Sequence, residues 1–295
     1  MSADPDGLRA RIADQFSYRG PHAEVWRGFD RFLATDAYLN LGYSPWYLPH
    51  VVGSPQRRLA RRIGRLLADC LGRTAGVALL DVGCGRGGPA IEFAQRFGFG
   101  VTGIDLVPYN VRQARENARD QPGTLRFAIG TAGALPIADA AVAAVTSMDA
   151  LVYVPDRSAA VAEFARVLEP GGVVAVSDLV VVADAGVDGR RAVERFAAAW
   201  DMPVPASVAQ YRDWFGDAGL AVRRVEDVTA NSVGRFRKWS TAFLRLADGP
   251  ARPALARLFA RFDLDLETVR TQVRRAHAAL PHLRHVIVVA SEPDG

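Results

Sequence analysis

Between Val77 and Val182 five short apolar runs, VALLDV, VTGID, LRFAI, AVAAVTSM and GVVAVSDLVVV, alternate with stretches of helical periodicity. No other feature restricts the fold of this chain as much. Strands that alternate with helices need crossovers, crossovers are right-handed, and the product is a parallel doubly wound sheet with helices on both faces. One such helix carries Val161, Phe164, Ala165 and Leu168, and the PGG of Pro170 to Gly172 is expected to end it before the fifth strand. Two more strand candidates, AVRRVEDVT and HVIVVAS, lie further on, separated by a helical stretch that includes Phe236, Trp239 and Phe243.

The flanks read differently. Residues 1–76 are helical, with Trp26, Phe29 and Leu33 on one stripe, followed by the aromatic, turn-rich YLNLGYSPWYLP. Past residue 182 a helix carries Val193, Phe196, Ala197 and Trp200 ahead of the proline-broken DMPVPAS. The expected organisation is a helical cap over residues 1–76, a ligand-binding core over 77–182, a helical cap insertion over 183–219, and a stretch over 220–295 that completes the core around a helical insertion.

Charge and cysteine usage narrow the partners. The net charge is +4, and Lys238 is the one lysine, so the basic residues are nearly all scattered arginines. The densest basic segment, RRLARRIGRLL, places Leu59, Ile63, Leu66, Leu67 and Cys70 on one helical face and arginines on the other. No aromatic residues interleave with them, so a solvated helix face is expected and a nucleic-acid partner is not. Cys70 and Cys84 are too few for a disulfide framework or a four-cysteine metal site, and no histidine pair has metal-ligand spacing with a third ligand nearby. The first twenty residues lack an apolar signal core, and no apolar run approaches membrane-spanning length, so a cytoplasmic location without a membrane span is expected. A homo-oligomer is compatible with this composition.

The loop after the first strand, LLDVGCGRGG, holds Gly83, Gly85 and Gly88 at G-x-G-x-x-G spacing. A nicotinamide or flavin pyrophosphate is the usual occupant of such a loop. Asp81 opposes it: a carboxylate about 4 Å from a phosphate costs roughly 4 kcal/mol at an effective dielectric near 20, which cancels the 0.3–2 kcal/mol the helix dipole supplies. A cation suits Asp81. S-adenosyl-L-methionine has a cationic amino group and sulfonium, a carboxylate for the loop N–H groups, and no phosphate. Asp105, at the end of the second strand, is placed for ribose hydroxyls with either ligand.

The ordered set LLDVGCGRGGPA, VTGIDL, GALPI and FARVLEPGG resembles the class I methyltransferases that use S-adenosyl-L-methionine, across the whole run from Val77 to Ser177. CGRGGPA, with YLNLGY upstream, is similar to sterol and prenyl C-methyltransferases and to natural-product O- and C-methyltransferases. The resemblance implies a Rossmann-like, doubly wound seven-stranded sheet, last strand antiparallel, under a helical cap. It places Asp81, Gly83, Cys84 and Gly85 along the methionine moiety and Asp105 with Leu106 at the ribose and adenine ring. Thr131 and Ala132 flank the adenine, and Asn110, Met148 and Tyr43 complete the cofactor set. Family members often carry an acidic residue where Thr131 stands.

In TSMDALVYV, after the fourth strand, many relatives have Glu at the position of Asp149 and His at that of Tyr153. Asp149 is the candidate base, with a pKa expected to be raised by a desolvating cap; its bland alternative is a helix cap. Tyr153 is a second catalytic candidate. Tyr43, Trp46, Trp200, Met202, Tyr211, Trp214, Phe236 and Trp239 are candidates for the substrate lining. His277 is expected to pack in a core, His282 and His285 at a strand end, and His22 in a loop. The expected reaction is methyl transfer from S-adenosyl-L-methionine, leaving S-adenosyl-L-homocysteine, to a small, largely apolar acceptor. A non-methyl-transfer reaction such as a cyclisation, and an NAD-dependent oxidoreductase, are the alternatives.

Overall fold

A computed structural model describes residues 5–19, 37–48 and 54–293; His22, Trp26, Phe29 and Leu33 lie outside the described residues. Seven strands form one sheet: β1 Ala78–Val82, β2 Gly100–Asp105, β3 Leu125–Ile129, β4 Val142–Met148, β5 Leu168–Val181, β6 Ala221–Asp227 and β7 Leu283–Ser291. Their order is β3-β2-β1-β4-β5-β7-β6. The first five pair in parallel, and β7 runs antiparallel to both β5 and β6. This is the expected doubly wound architecture with its antiparallel last strand.

Side-chain alternation along the strands sorts the helices between the two faces. Leu79, Val101, Ala144 and Ala175 point to one face, covered by α2 (Pro55–Leu71), α3 (Gly88–Phe97) and α4 (Pro108–Ala118) through Leu59, Ile63, Phe93 and Val111. Leu80, Ile104, Val145 and Val176 point to the other, covered by α5 (Arg157–Val167) and α7 (Val208–Asp217) through Val161, Phe164, Tyr211 and Phe215. Ser54 caps α2 by accepting from the Arg57 N–H, and Pro55 occupies its first turn.

A third apolar cluster lies above the carboxyl ends of the strands. It joins α6 (Gly186–Ala199), α8 (Val233–Asp248) and α10 (Leu266–Ala279) through Val193, Phe196, Val233 and Ala276, with Phe16 of α1 (Pro5–Phe16) packed against it. Beyond it Phe243, Phe259 and Val269 hold α8, α9 (Arg252–Ala260) and α10 together.

The cap is therefore composed differently from the sequence expectation. Within 1–76 the described helices α1 and α2 do not act as one unit, because α2 belongs to the sheet face, and of the two helices in 183–219 α6 reaches the cap while α7 lies on the sheet. An amphipathic stripe buries equally well against a sheet or a helix, so its spacing does not name its partner. Two smaller corrections follow from the same limit. Leu168 starts β5 opposite Val142 and is not the last residue of a helix, because the PGG forms an irregularity inside the strand pairing. Cys70 is exposed, because the buried stripe of α2 stops at Leu67. Among the described residues no helix is long and apolar enough to cross a membrane.

Two loop glycines are sterically obligatory. Gly83 sits at φ +76°, and a Cβ there would meet the Ala150 Cβ at 2.3 Å. Gly88 has no left-handed backbone, but a Cβ would meet the carbonyl oxygen of Ala37 at 2.4 Å. Chain 37–48 thus rests directly on the start of α3.

Candidate active site

A cavity of about 450 Å³ opens over the carboxyl ends of β1, β2, β4 and β5, where a doubly wound sheet presents its ligands. Gly83, Cys84, Gly85, Asp105, Leu106, Asn110, Thr131, Ala132 and Met148 all line it. So do Trp200, Met202 and Phe236 under the cap, with Phe196 and Leu179.

Five expected lining residues are elsewhere. The Tyr43 ring faces α2, with the Arg62 guanidinium 5.1 Å from its centre. Trp46 is 83% exposed and touches Tyr47. Trp239 stacks on Phe243 at 5.4 Å in the outer cluster. Tyr211 and Trp214 pack against each other on the sheet face. For Tyr211, Trp214 and Trp239 the helical stripe marks a packed face without saying against what; Tyr43 and Trp46 lie in a turn-rich segment with no such pattern.

Beneath the glycine loop, Asp81 is fully buried, and neither carboxylate oxygen has a partner in the protein. Burial, with the nearby Asp105 adding to it, pushes its pKa up to about 7. Asp105 ties the loop to α4: its oxygens accept from the N–H of Gly85 at 2.8 Å, the N–H of Val107 at 2.9 Å and the Asn110 amide at 3.2 Å. The Asn110 Oδ1 is buried without a donor. An orphaned carboxylate and an orphaned amide oxygen around a glycine cradle need a cationic group and hydroxyl donors. An aminoacyl nucleoside such as S-adenosyl-L-methionine offers both.

Asp149 follows β4 with a left-handed backbone, φ 55°. It does not cap the turn after it. Oδ1 accepts from the Ser177 hydroxyl at 2.9 Å and from His285 Nε2 at 2.8 Å, and Oδ2 accepts from the Leu41 N–H at 2.7 Å. Burial alone would raise its pKa, but the His285 charge and these three donors outweigh it and hold the carboxyl below its ordinary value. The expected raised pKa is corrected: a desolvated acid with a cationic partner stays ionised.

His285, on β7 and fully buried, is the residue the sequence reading missed. Its Nδ1 lies 2.8 Å from the Ser232 hydroxyl, which donates to the Val228 carbonyl at 3.0 Å. Assigned from that pattern, both ring nitrogens carry protons, and the pair is an imidazolium and a carboxylate. A signal was present: a polar residue in a strand otherwise apolar needs a buried partner.

Tyr153 lines the cavity on a 3-10 turn (Leu151–Tyr153) with the Phe16 ring edge-on at 5.2 Å. Burial raises its phenol further above the ordinary range. A phenol held that high stays protonated and does not act as a base. His277 is half-buried, with Nδ1 2.8 Å from the Ser240 hydroxyl, and His282 packs on Gly189. A second acid, Asp178 of β5, also lines the cavity; Oδ2 accepts from the Tyr211 hydroxyl at 2.6 Å and Oδ1 from the Leu179 N–H at 2.9 Å. Among the described residues no cluster of three or more His, Cys, Asp or Glu side chains is placed to hold a metal ion.

Residues 80–176 match a family model described as a methyltransferase domain. The 27-O-demethylrifamycin SV methyltransferase of Amycolatopsis mediterranei is 30% identical over 278 residues, 92% of this chain and 97% of that protein. The O-methyltransferase cnsE of Penicillium expansum is 31% identical over 83% of this chain and 89% of its own length. Among solved structures, geranyl diphosphate C-methyltransferase of Streptomyces coelicolor, in complex with Mg2+, geranyl-S-thiolodiphosphate and S-adenosyl-L-homocysteine, aligns over 99% of this chain and all of that one. Its TM-score is 0.70 at 19% identity. With a glycine cradle and orphaned acid that fit the cofactor, and a relative aligned over nearly its whole length, the chain belongs to the S-adenosyl-L-methionine-dependent methyltransferases.

Proposed function

We propose that the enzyme methylates a hydroxyl oxygen of an uncharged, largely apolar small molecule. The observation that carries this reading is the charge pattern of the cavity: outside the cofactor cradle its lining acids are Asp149, Asp156 and Asp178, and among the described lining residues the one cationic side chain is Arg9, exposed on α1. No buried cationic side chain in that lining offsets the charge of a phosphorylated acceptor, whereas an acceptor hydroxyl can donate to a carboxylate. The relatives named for O-methyl transfer support the choice of oxygen.

In this reading Asp81, Gly83, Cys84, Gly85, Asp105, Leu106, Asn110, Thr131, Ala132 and Met148 hold the cofactor, which supplies an electrophilic methyl carbon when bound. Asp149 orients the acceptor hydroxyl, and Phe196, Trp200, Met202 and Phe236 exclude water from it. Orientation in a dry site is the main source of rate in such a transfer, since effective molarities of about 10⁵–10⁸ M are open to well-aligned reactants.

The test is product mass and NMR after incubation with methyl-labelled cofactor and two acceptor sets, apolar alcohols and prenyl diphosphates. A gain of one labelled methyl as an O-methyl signal in the alcohols, and none in the diphosphates, is expected. Methylation of a diphosphate at carbon, or an acceptor rearranged without label, would replace this reading.

A further inference from the structure

We propose that Asp178, not Asp149, takes the proton that the acceptor hydroxyl loses, with Tyr211 as its positioning partner. The inference rests on the O-methylation reading above and assigns the proton step within it.

The two acids differ in what their partners allow. Two donors already fill Oδ1 of Asp149, and the Leu41 N–H faces Oδ2. A backbone N–H and an imidazolium N–H cannot turn into acceptors. A proton arriving at Asp149 would leave both pointing at a neutral carboxyl, with the charge on His285 unpaired. Asp178 has one donor on each oxygen, so both keep a free lone-pair direction, whereas Asp149 keeps one on Oδ2 alone. Its closest partner is a hydroxyl, which can rotate. The Tyr211 O–H donates while Asp178 is ionised and can accept when Asp178 is protonated, so both states are satisfied. Asp178 and Leu179 line the same cavity as Met202 and Trp200.

The groups facing Asp178 are Tyr211 from α7, Arg157 from α5, Asp149 from the end of β4 and Tyr153 from the turn after it; across the sheet its pairing neighbour is the apolar Val286 of β7. Arg157 spends its donors on the carbonyls of Leu151, Val152 and Val204 and makes no bond to Asp178. Burial prevails over the Tyr211 bond and pushes the pKa of Asp178 up to about 7, while Asp149 stays ionised. Two acids whose surroundings drive them apart in this way divide the tasks of anchor and base. In the step itself the acceptor O–H bond breaks and an oxygen–carbon bond forms to the transferred methyl. The electron pair of the broken carbon–sulfur bond stays on sulfur, and the proton goes to Asp178, which yields it to solvent when product leaves.

The experiment compares Asp178→Asn and Tyr211→Phe with wild type, reading turnover against pH and cofactor affinity by calorimetry. Wild-type kcat should rise with pH through an apparent pKa near that of Asp178. Asp178→Asn should lose 10²- to 10⁴-fold in kcat and the rising limb, with cofactor affinity unchanged. Tyr211→Phe removes a bond that favours the ionised acid and should move the limb to higher pH. Asp149→Asn should lower turnover yet keep the limb. Carbon-13 NMR of the ligand-free protein should show two carboxyls titrating near neutrality, Asp81 and Asp178, of which Asp178→Asn keeps one. A folded Asp178→Asn that turns over normally with its limb intact overturns the assignment; should that variant not fold, an unmoved limb in Tyr211→Phe does so. Absence of O-methyl product in wild type overturns the underlying reading instead.

Discussion

Asp149 and Asp178 face one cavity from neighbouring strand ends, and the difference between them is made by single partners. The sequence reading singled out Asp149 from its place after β4, but its opposite number, His285, stands 136 positions away, and no local pattern links the two. Asp178 lies inside the run GVVAVSDLVVV, whose apolar pattern marks a strand and gives the acid no role; a carboxylate in a buried strand has to be satisfied, and Tyr211 with the Leu179 N–H satisfies it. The Asp149–His285 pair makes a stability prediction. His285→Leu leaves a buried carboxylate without its cation, which costs about 3–5 kcal/mol. Urea unfolding should show that loss, and the double variant Asp149→Asn/His285→Leu should lose less than the sum of the single variants by at least about 1 kcal/mol. Strict additivity would mean that the two side chains do not interact. The pKa of Asp149 in His285→Leu should rise, since burial is then opposed only by Ser177 and Leu41.

At the scale of elements, the sheet was legible because two periodicities alternate there, period 2 for each strand and a helical stripe for each crossover. The cap was not, because α6 and α7 carry similar stripes and only one of them covers the cavity. Chain 37–48 is the clearest case. It has no helix or strand, and it is fixed at separate points: Gly88 N–H to the Ala37 carbonyl, Leu41 N–H to Asp149, and Ser44 to Asn231 in both directions. Point attachments open locally more readily than a packed sheet. Cofactor and acceptor bound beneath this chain should therefore slow amide exchange in 37–48 and α1, and leave β1, β4 and β5 unchanged. Exchange measured by mass spectrometry with and without both ligands tests this. Equal rates would make the chain a fixed wall and remove closure from the mechanism.

The whole molecule carries a modest positive charge, yet its cavity gathers acids, and that contrast sets how stability responds to pH. Asp81 and Asp178 titrate at about 7 in the folded protein against about 3.9 in an unfolded chain. The unfolded chain releases these protons first as pH rises, so the folded state loses stability between pH about 4 and 7. The loss is bounded at roughly 4 kcal/mol for each group at 1.36 kcal/mol per pKa unit. Asp149 acts in the opposite sense, because its folded pKa is depressed. It stabilises above the unfolded value, loses that contribution only as pH falls through its folded pKa, and so contributes little slope between pH 5 and 8. Ligand-free protein should therefore unfold at progressively lower urea as pH rises from 5 to 8. Asp81→Asn removes a buried, partnerless charge, so it should flatten part of that slope and raise stability at pH 8 while abolishing cofactor binding. Saturating S-adenosyl-L-homocysteine should flatten the slope in wild type as well, because its amino group gives Asp81 the cation the protein lacks. If Asp81→Asn and wild type show the same slope without ligand, Asp81 is not the strained acid of the fold. The cofactor would then be held by Asp105 and the loop alone.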